Sequence, residues 1–160
     1  MAWAQFETLA WPMAICAGLM AGIYLVFSVV IMKSLATLTP DKGIEAMNAI
    51  NQVILKTAFM SLFFGSTVIA LLMVLTAAWF WGVPGASAAL AAGLIYLVGM
   101  FASTAIGNVP LNNALATVSG NGEEAVRVWN RYLTHWTRWN TSRTICSAAT
   151  MVICLDLLSR

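Results

Sequence analysis

Three stretches of this sequence, Leu9 to Met32, Thr57 to Trp81 and Ala86 to Gly107, each run for more than 20 residues without one charged side chain. A helix needs about 20 apolar residues to cross a hydrocarbon core of about 30 Å, so each run is long enough to span a bilayer. Composition agrees: 61% of the 160 residues are hydrophobic and 9% are charged, where a soluble domain carries roughly a quarter charged residues. The expected fold class is all-α, an integral membrane four-helix bundle with two amphipathic connecting helices. One membrane domain over residues 1–160 is expected, with spans near 9–32, 57–81, 86–107 and 139–158.

The fourth span is the informative one. Its apolar run, Thr144 to Leu158, has 15 residues and includes Asp156. At 1.5 Å per residue it covers only about 22 Å. Extending it backward to about 20 residues draws in Trp139, Asn140 and Arg143, roughly one turn inside the membrane edge. Pro12 falls in the first turn of the first run, where a missing N–H costs least. Gly82-Val83-Pro84-Gly85 reads as a tight uncharged hairpin, and Ser119-Gly120 with Asn121-Gly122 as a loop. The connecting helices are expected at Pro40 to Lys56, opened by Thr39-Pro40-Asp41, and at about Gly122 to Ser142, opened by Glu123 and Glu124.

Polar residues on apolar faces mark where chemistry would gather. At 100° per residue, Trp129, Tyr132, Trp136, Trp139 and Arg143 fall within about 60° of one direction. Arg127, Arg131 and Arg138 point elsewhere. An intramembrane arginine needs a partner and is a functional candidate, although an aromatic belt with a snorkelling arginine has the same pattern. Asn51 sits at the centre of the apolar face formed by Ile44, Met47, Ile54 and Leu55. A buried amide left without a partner costs about 1–3 kcal/mol, so Asn51 either ties helices together or meets a ligand. Pro110 disfavours helical geometry at Val109 and is expected to break the backbone there. Asn108 and Asn112 would then cap the broken ends or face a ligand. Gly18 and Gly22, with Gly99, Ser103 and Gly107, form small-residue spacings that suit packing within the bundle better than a dimer seam.

Several chemistries lack their residues. Cys16, Cys146 and Cys154 lie alone in apolar segments and suit packing. There is no Cys/His cluster for zinc or iron–sulfur binding. His135 is the only histidine, which excludes bis-histidine haem and a two-His-one-carboxylate iron site within one chain. It leaves a one-ligand haem, a proton-transfer role, or a half-exposed interfacial position. The scattered methionines suit gap-filling rather than copper binding. A basic stripe of the nucleic-acid-binding kind is missing, and anionic lipid headgroups are the expected counter-charge for the arginines.

Several of these residues fall in short runs that resemble the anthrone oxygenase-like family of small membrane proteins, long catalogued as a domain of unknown function. The runs are Ala17-Gly18, Ala21-Gly22, Met47-Asn48-Ala49-Ile50-Asn51, Asn108-Val109-Pro110-Leu111-Asn112, Trp136-Thr137-Arg138-Trp139-Asn140 and Arg143-Thr144. The resemblance implies oxidation of an anthrone by O₂ to an anthraquinone without a conventional cofactor, as in fungal aromatic polyketide pathways. It also implies a small apolar aromatic ligand. For such a site, Trp136 and Trp139 would line an apolar slot beside Tyr132 and Asn108. Asn51, Asn112, Asn140 and Arg143 would donate to an enolate-like oxygen, and His135 would be the base.

Three readings stand beside one another. The chain is a membrane oxidoreductase for a flat apolar substrate, a haem- or quinone-binding subunit, or a structural or assembly subunit of a larger membrane complex or homo-oligomer. A transporter fits poorly, because four helices without a repeat leave little room. No cofactor is required by the residues, and haem is the one left open. The N-terminal run lacks a basic flank and carries Glu7, so it is expected to stay in the protein rather than act as a signal.

Seven basic residues, Lys33, Lys42, Lys56, Arg127, Arg131, Arg138 and Arg143, flank the two longer connections, against Arg160 alone on the other side. The positive-inside rule then puts both connections in the cytoplasm and both termini outside, in a bacterial inner membrane. A cysteine placed at Gly120 should react with membrane-impermeant maleimide only after spheroplasts are opened. Labelling from outside would reverse the orientation.

Overall fold

The computed structural model describes residues 4–118 and 122–160. The loop expected at Ser119, Gly120 and Asn121 lies outside the described residues. Those described are all helical or short turns, and four helices are long and apolar enough to cross a membrane. The first, α1, is continuous through Ala4–Val26, a π-helical stretch Phe27–Ile31, and Met32–Leu35. A short helix α2, Pro40–Ile54, follows, then α3, Ala58–Trp79. Helix α4 comprises Ala86–Tyr96, π-helical Leu97–Ala102 and Thr104–Asn108, and Val109–Ala116. Helix α5, Glu123–Ser159, is unbroken.

Three sequence expectations are corrected by the helices. Pro12 lies inside α1 rather than in its first turn, because Gln5, Phe6 and Glu7 already belong to the helix. A proline inside a membrane helix is tolerated where neighbours satisfy the backbone it frees. Pro110 does not break α4. Val109 keeps helical angles (φ −60°, ψ −47°) and its N–H reaches back to the carbonyl of Thr104, five residues earlier. The wider π turn carries the chain past the proline ring, which would clash with a carbonyl in tight α register. The second connecting helix and the fourth span are one helix of 37 residues, about 55 Å long. That exceeds a bilayer core by about 25 Å, so the arginine-bearing end projects beyond it. The apolar helices that hold the four expected spans run Gln5–Leu35, Ala58–Trp79, Ala86–Ala116 and Glu123–Ser159.

Local chemistry explains the remaining boundaries. Thr39 takes extended angles before Pro40, and α2 starts there. The Thr57 hydroxyl accepts from the Phe59 N–H at 3.3 Å and caps α3. Gly82 and Gly85 both adopt φ +92°, which a side chain would oppose, and so turn the chain sharply between α3 and α4. Trp11, Trp79 and Trp81 are exposed at that end, where an aromatic girdle suits the headgroup level. Arg127, Arg131 and Arg138 are exposed at the other end of the molecule.

Helix α5 packs along α1 and α4, and α3 packs against α1 and α4, closing a ring of four. One apolar core fills the ring, with Met13, Met20, Met73, Tyr96, Met100 and Leu157. A second core joins Met32, Ile44, Met47, Leu115, Trp129, Tyr132 and Trp136, and holds α2 across the projecting end of α5. Small residues permit close approach: a Cβ on Gly99 would meet the Cys146 sulfur at 2.2 Å, and one on Gly107 the Trp139 ring at 2.4 Å. These spacings therefore serve contacts between α4 and α5.

A Cβ at Gly43 would lie 2.5 Å from Cζ2 of Trp129, whereas one at Gly22 would meet nothing within 4 Å. Gly43→Ala should therefore lower stability by about 1–3 kcal/mol, the usual cost of overpacking. Gly22→Ala should be neutral or slightly stabilising. Thermal unfolding of both variants in detergent checks the contrast, and a large loss at Gly22 would instead reveal a second copy packed on α1.

Candidate functional site

Between the two cores lies a cavity of about 310 Å³ walled by all five helices. Tyr24 and Phe27 come from α1, Met47 and Asn51 from α2, and Phe59 and Phe63 from α3. Helix α4 contributes Phe101, Thr104, Asn108 and Asn112, and α5 contributes Trp136, Asn140 and Arg143. Phe27 belongs to the π stretch of α1, and Phe101, Thr104 and Asn108 to those of α4. A π turn inserts one residue into a helical turn and re-aims the side chains, which is why such turns recur at ligand sites.

Arg143 is only 5% exposed. Its Nη2 donates to Oδ1 of Asn140 at 2.7 Å and its Nη1 to the Thr104 hydroxyl at 3.3 Å. The guanidinium lies 4.2 Å from the centroid of the Tyr24 ring and 5.4 Å from that of Trp136. Two charge-assisted hydrogen bonds at about 1.5–3 kcal/mol each, with cation–π contacts at about 1–2 kcal/mol, offset the ~2.5–3.5 kcal/mol of placing arginine in a bilayer. Among the described residues no carboxylate pairs with it. The ion pairs among the described residues are Lys42–Glu45, Arg127–Glu124 and Arg160–Asp156, all on the surface. Arginine stays protonated in proteins, so the cavity wall carries a full positive charge.

The asparagines divide by what their amides already do. Asn140 is saturated: its Nδ2 donates to the Tyr24 carbonyl at 2.6 Å and to the Ser28 hydroxyl at 2.7 Å, while its oxygen holds Arg143. Asn112 accepts two bonds on one oxygen, from the Tyr132 hydroxyl at 2.8 Å and Trp136 Nε1 at 2.9 Å. That fixes its orientation and leaves its N–H₂ for the cavity. Asn108 donates to the Trp136 carbonyl at 3.2 Å, which leaves its oxygen without a donor. Asn51 lines the cavity, and its buried Nδ2 has no hydrogen-bond partner among the described residues.

Five buried side-chain atoms lack a hydrogen-bond partner among the described residues: Tyr24 Oη, Asn51 Nδ2, Asn108 Oδ1, Arg143 Nε and Ser147 Oγ. The first four belong to residues that line this cavity. Buried polar groups are nearly always satisfied, so a cluster of exceptions facing one space marks a place built to receive something polar.

Asn51, Asn108, Asn112, Asn140, Trp136 and Arg143, read separately from the sequence, thus meet around one space. The structure places the three other residues off the cavity wall. His135 is exposed and does not line the cavity. It sits one residue before Trp136, and at 100° per residue that turns it outward. Trp139 is 37% exposed and packs over Gly107, outside the cavity. Tyr132 is buried but acts through Asn112 rather than on the wall. Tyr24 and Thr104 escaped the sequence reading, although a phenol and a hydroxyl within otherwise apolar runs were the available signals.

A membrane-spanning helical protein with a ligand-sized apolar cavity and one uncompensated buried cation is the class that these features define. The sequence profile of the family described as anthrone oxygenase matches residues 56–153, 98 of the 160 residues. The chain belongs to the anthrone oxygenase family. The matched stretch holds the polar residues of α4 and α5, while Tyr24 and Asn51 lie before it. No curated protein and no solved structure matches the chain.

Replacing Asn112 with leucine would strand the Tyr132 hydroxyl and the Trp136 N–H. Each orphaned donor costs about 1–3 kcal/mol, so Asn112→Leu should destabilise the fold by about 2 kcal/mol or more. Chemical unfolding in mixed micelles reads this, and an unchanged midpoint would mean that the two rings find other acceptors.

Proposed function

We propose that the cavity binds a flat, apolar aromatic ketone of the anthrone kind as its enolate-like anion, and that the protein promotes its oxidation by O₂. The observation that carries this reading is Arg143, buried without a carboxylate and with Nε free. With two of the five N–H groups of a guanidinium engaged, three are left for a ligand.

In an apolar wall such a charge favours the ionised form of whatever binds against it, as an adjacent cation does for any acid. The site thus supplies a charge in place of a base. The central CH₂ of an anthrone loses one proton to water, and its oxygen takes the negative charge. Arg143 and the amides of Asn51 and Asn112 donate to that oxygen. The anion gives one electron to O₂, and the resulting pair of radicals joins in a C–O bond. After protonation the hydroperoxide carries C–H and O–O bonds; loss of the carbon-bound proton and cleavage of the O–O bond release water and leave C=O. The sum is CH₂ + O₂ → C=O + H₂O. The rings of Phe27, Phe59, Phe63 and Trp136 suit the faces of a flat aromatic body. On the basic asymmetry of the chain, the cavity lies toward the cytoplasmic face.

Arg143→Gln should lower anthrone turnover, followed as O₂ uptake, by about 10²–10³-fold, the usual cost of losing a principal oxyanion donor. Because Gln keeps an amide for Asn140 and Thr104, the thermal midpoint should move little. His135→Ala should retain activity. Equal loss of activity, yield and stability in Arg143→Gln would make the arginine a structural lock instead.

A further inference from the structure

The lining residues of the cavity divide by exposure. Arg143, Asn140, Asn108 and Trp136 are buried, whereas Leu55 (63% exposed), Phe64 (53%), Val109 and Ala105 are open to the outside. The buried polar groups form the floor, Asn51, Thr104 and Asn112 stand half-buried between, and the exposed residues of the rim are apolar. Helix α3 packs against α4 through residues 86–102, where the rings of Phe63 and Phe101, 5.7 Å apart, close the upper edge. Below that contact the first turns of α3 and residues 104–116 of α4 part, and the rim residues stand on either side of the gap.

Depth decides what this gap faces. Phe64 lies seven residues beyond Thr57, the cap of α3, which is about 10 Å into a helix of membrane-spanning length. Ala105 lies in the second π stretch of α4, within the apolar helix Ala86–Ala116. An opening at that level, bordered by phenylalanine, alanine and valine, meets hydrocarbon rather than water. The bottom of the rim, at Leu55, adjoins Lys56 and so reaches the headgroup level, where amphiphiles carry their polar ends.

We infer that the cavity is loaded sideways from the bilayer, between α3 and the lower part of α4, by a lipid-dissolved amphiphile that goes in polar end first. This rests on the cavity being a ligand site. The ligand class follows from the geometry: a molecule soluble in lipid, flat enough for the gap, with one ionisable oxygen at its leading end and no charge at its trailing end. A water-soluble acid of the same shape would meet the apolar rim without a polar group to guide it.

The test uses the full chain in phosphatidylcholine vesicles, with anthrone delivered in a second population of the same vesicles and binding followed by stopped-flow fluorescence. Ala105→Trp narrows the rim and leaves the polar floor alone. It should slow association and dissociation together by about tenfold, with Kd little changed. Unchanged rates, or a weakened Kd with normal association, would overturn lateral loading while leaving the site itself intact. Arg143→Gln in the same assay should weaken Kd, and an unchanged Kd there would instead remove the site. A second measurement stands if Ala105→Trp fails to fold. Spin labels on Phe64→Cys and Val109→Cys, with the three native cysteines replaced by alanine, should collide with O₂ and not with a water-soluble nickel chelate. Preferential collision with the chelate would show that the rim faces water and would overturn the inference.

Discussion

A guanidinium buried among helices must place five N–H groups and one charge, and much of this molecule's inner half is arranged around how Arg143 does so. Asn140 holds one end of it, Thr104 steadies another, and the Tyr24 and Trp136 rings cover it. Those contacts join α1, α4 and α5 at one point. Asn140 in turn binds the Tyr24 carbonyl and the Ser28 hydroxyl, so the same amide fixes both the arginine and the ring beneath it. A carboxylate would satisfy the charge more simply. Its absence from the described residues around Arg143 keeps the arginine's field directed into the cavity.

The π stretches show how the fold makes room. Regular α-helices packed through alanine and glycine, as α3 and α4 are near the hairpin, leave little space between them. Where α4 passes into π register, Phe101, Thr104 and Asn108 turn inward together, and α3 diverges. On the far side Trp129, Tyr132 and Trp136 form a stacked ladder with successive centroids 5.9 and 5.8 Å apart. The ladder is rigid, and through Asn112 it sets the direction of a cavity-facing amide.

Legibility from sequence followed the reach of local rules. Apolar run length located the four long apolar helices, and helical phase placed Asn51, Trp136, Asn140 and Arg143 on faces that converge. Phase alone misjudged Trp139, because the wheel treats a 60° sector as one face while α5 buries a narrower stripe. It also left His135 near the site when the real helix turns it outward. The break expected at Pro110 was a sound rule for α register, overridden by a π turn that no local signal announces. Tyr24 was missed because one phenol in an apolar run is ordinary; its importance lies in the arginine above it, which comes from a segment more than 100 residues later.

Solvent ties this arrangement to the proposed chemistry. In water a lone arginine would be screened, and its effect on a bound acid would be small. Within an apolar wall the attraction between a cation and an anion formed beside it is several times larger, so the charge can stand in for the base that the cavity lacks. The same low dielectric would penalise a second buried charge, such as a carboxylate base, unless it paired with Arg143 and cancelled it. A site that must both ionise its ligand and keep its cation free is therefore better built from neutral amides and one arginine than from an acid–base pair. The bilayer also dissolves the apolar ligand and concentrates O₂, which is more soluble in hydrocarbon than in water. In the proposed reaction, a cavity beside lipid would bring both reactants to the buried charge of Arg143, which no carboxylate among the described residues compensates.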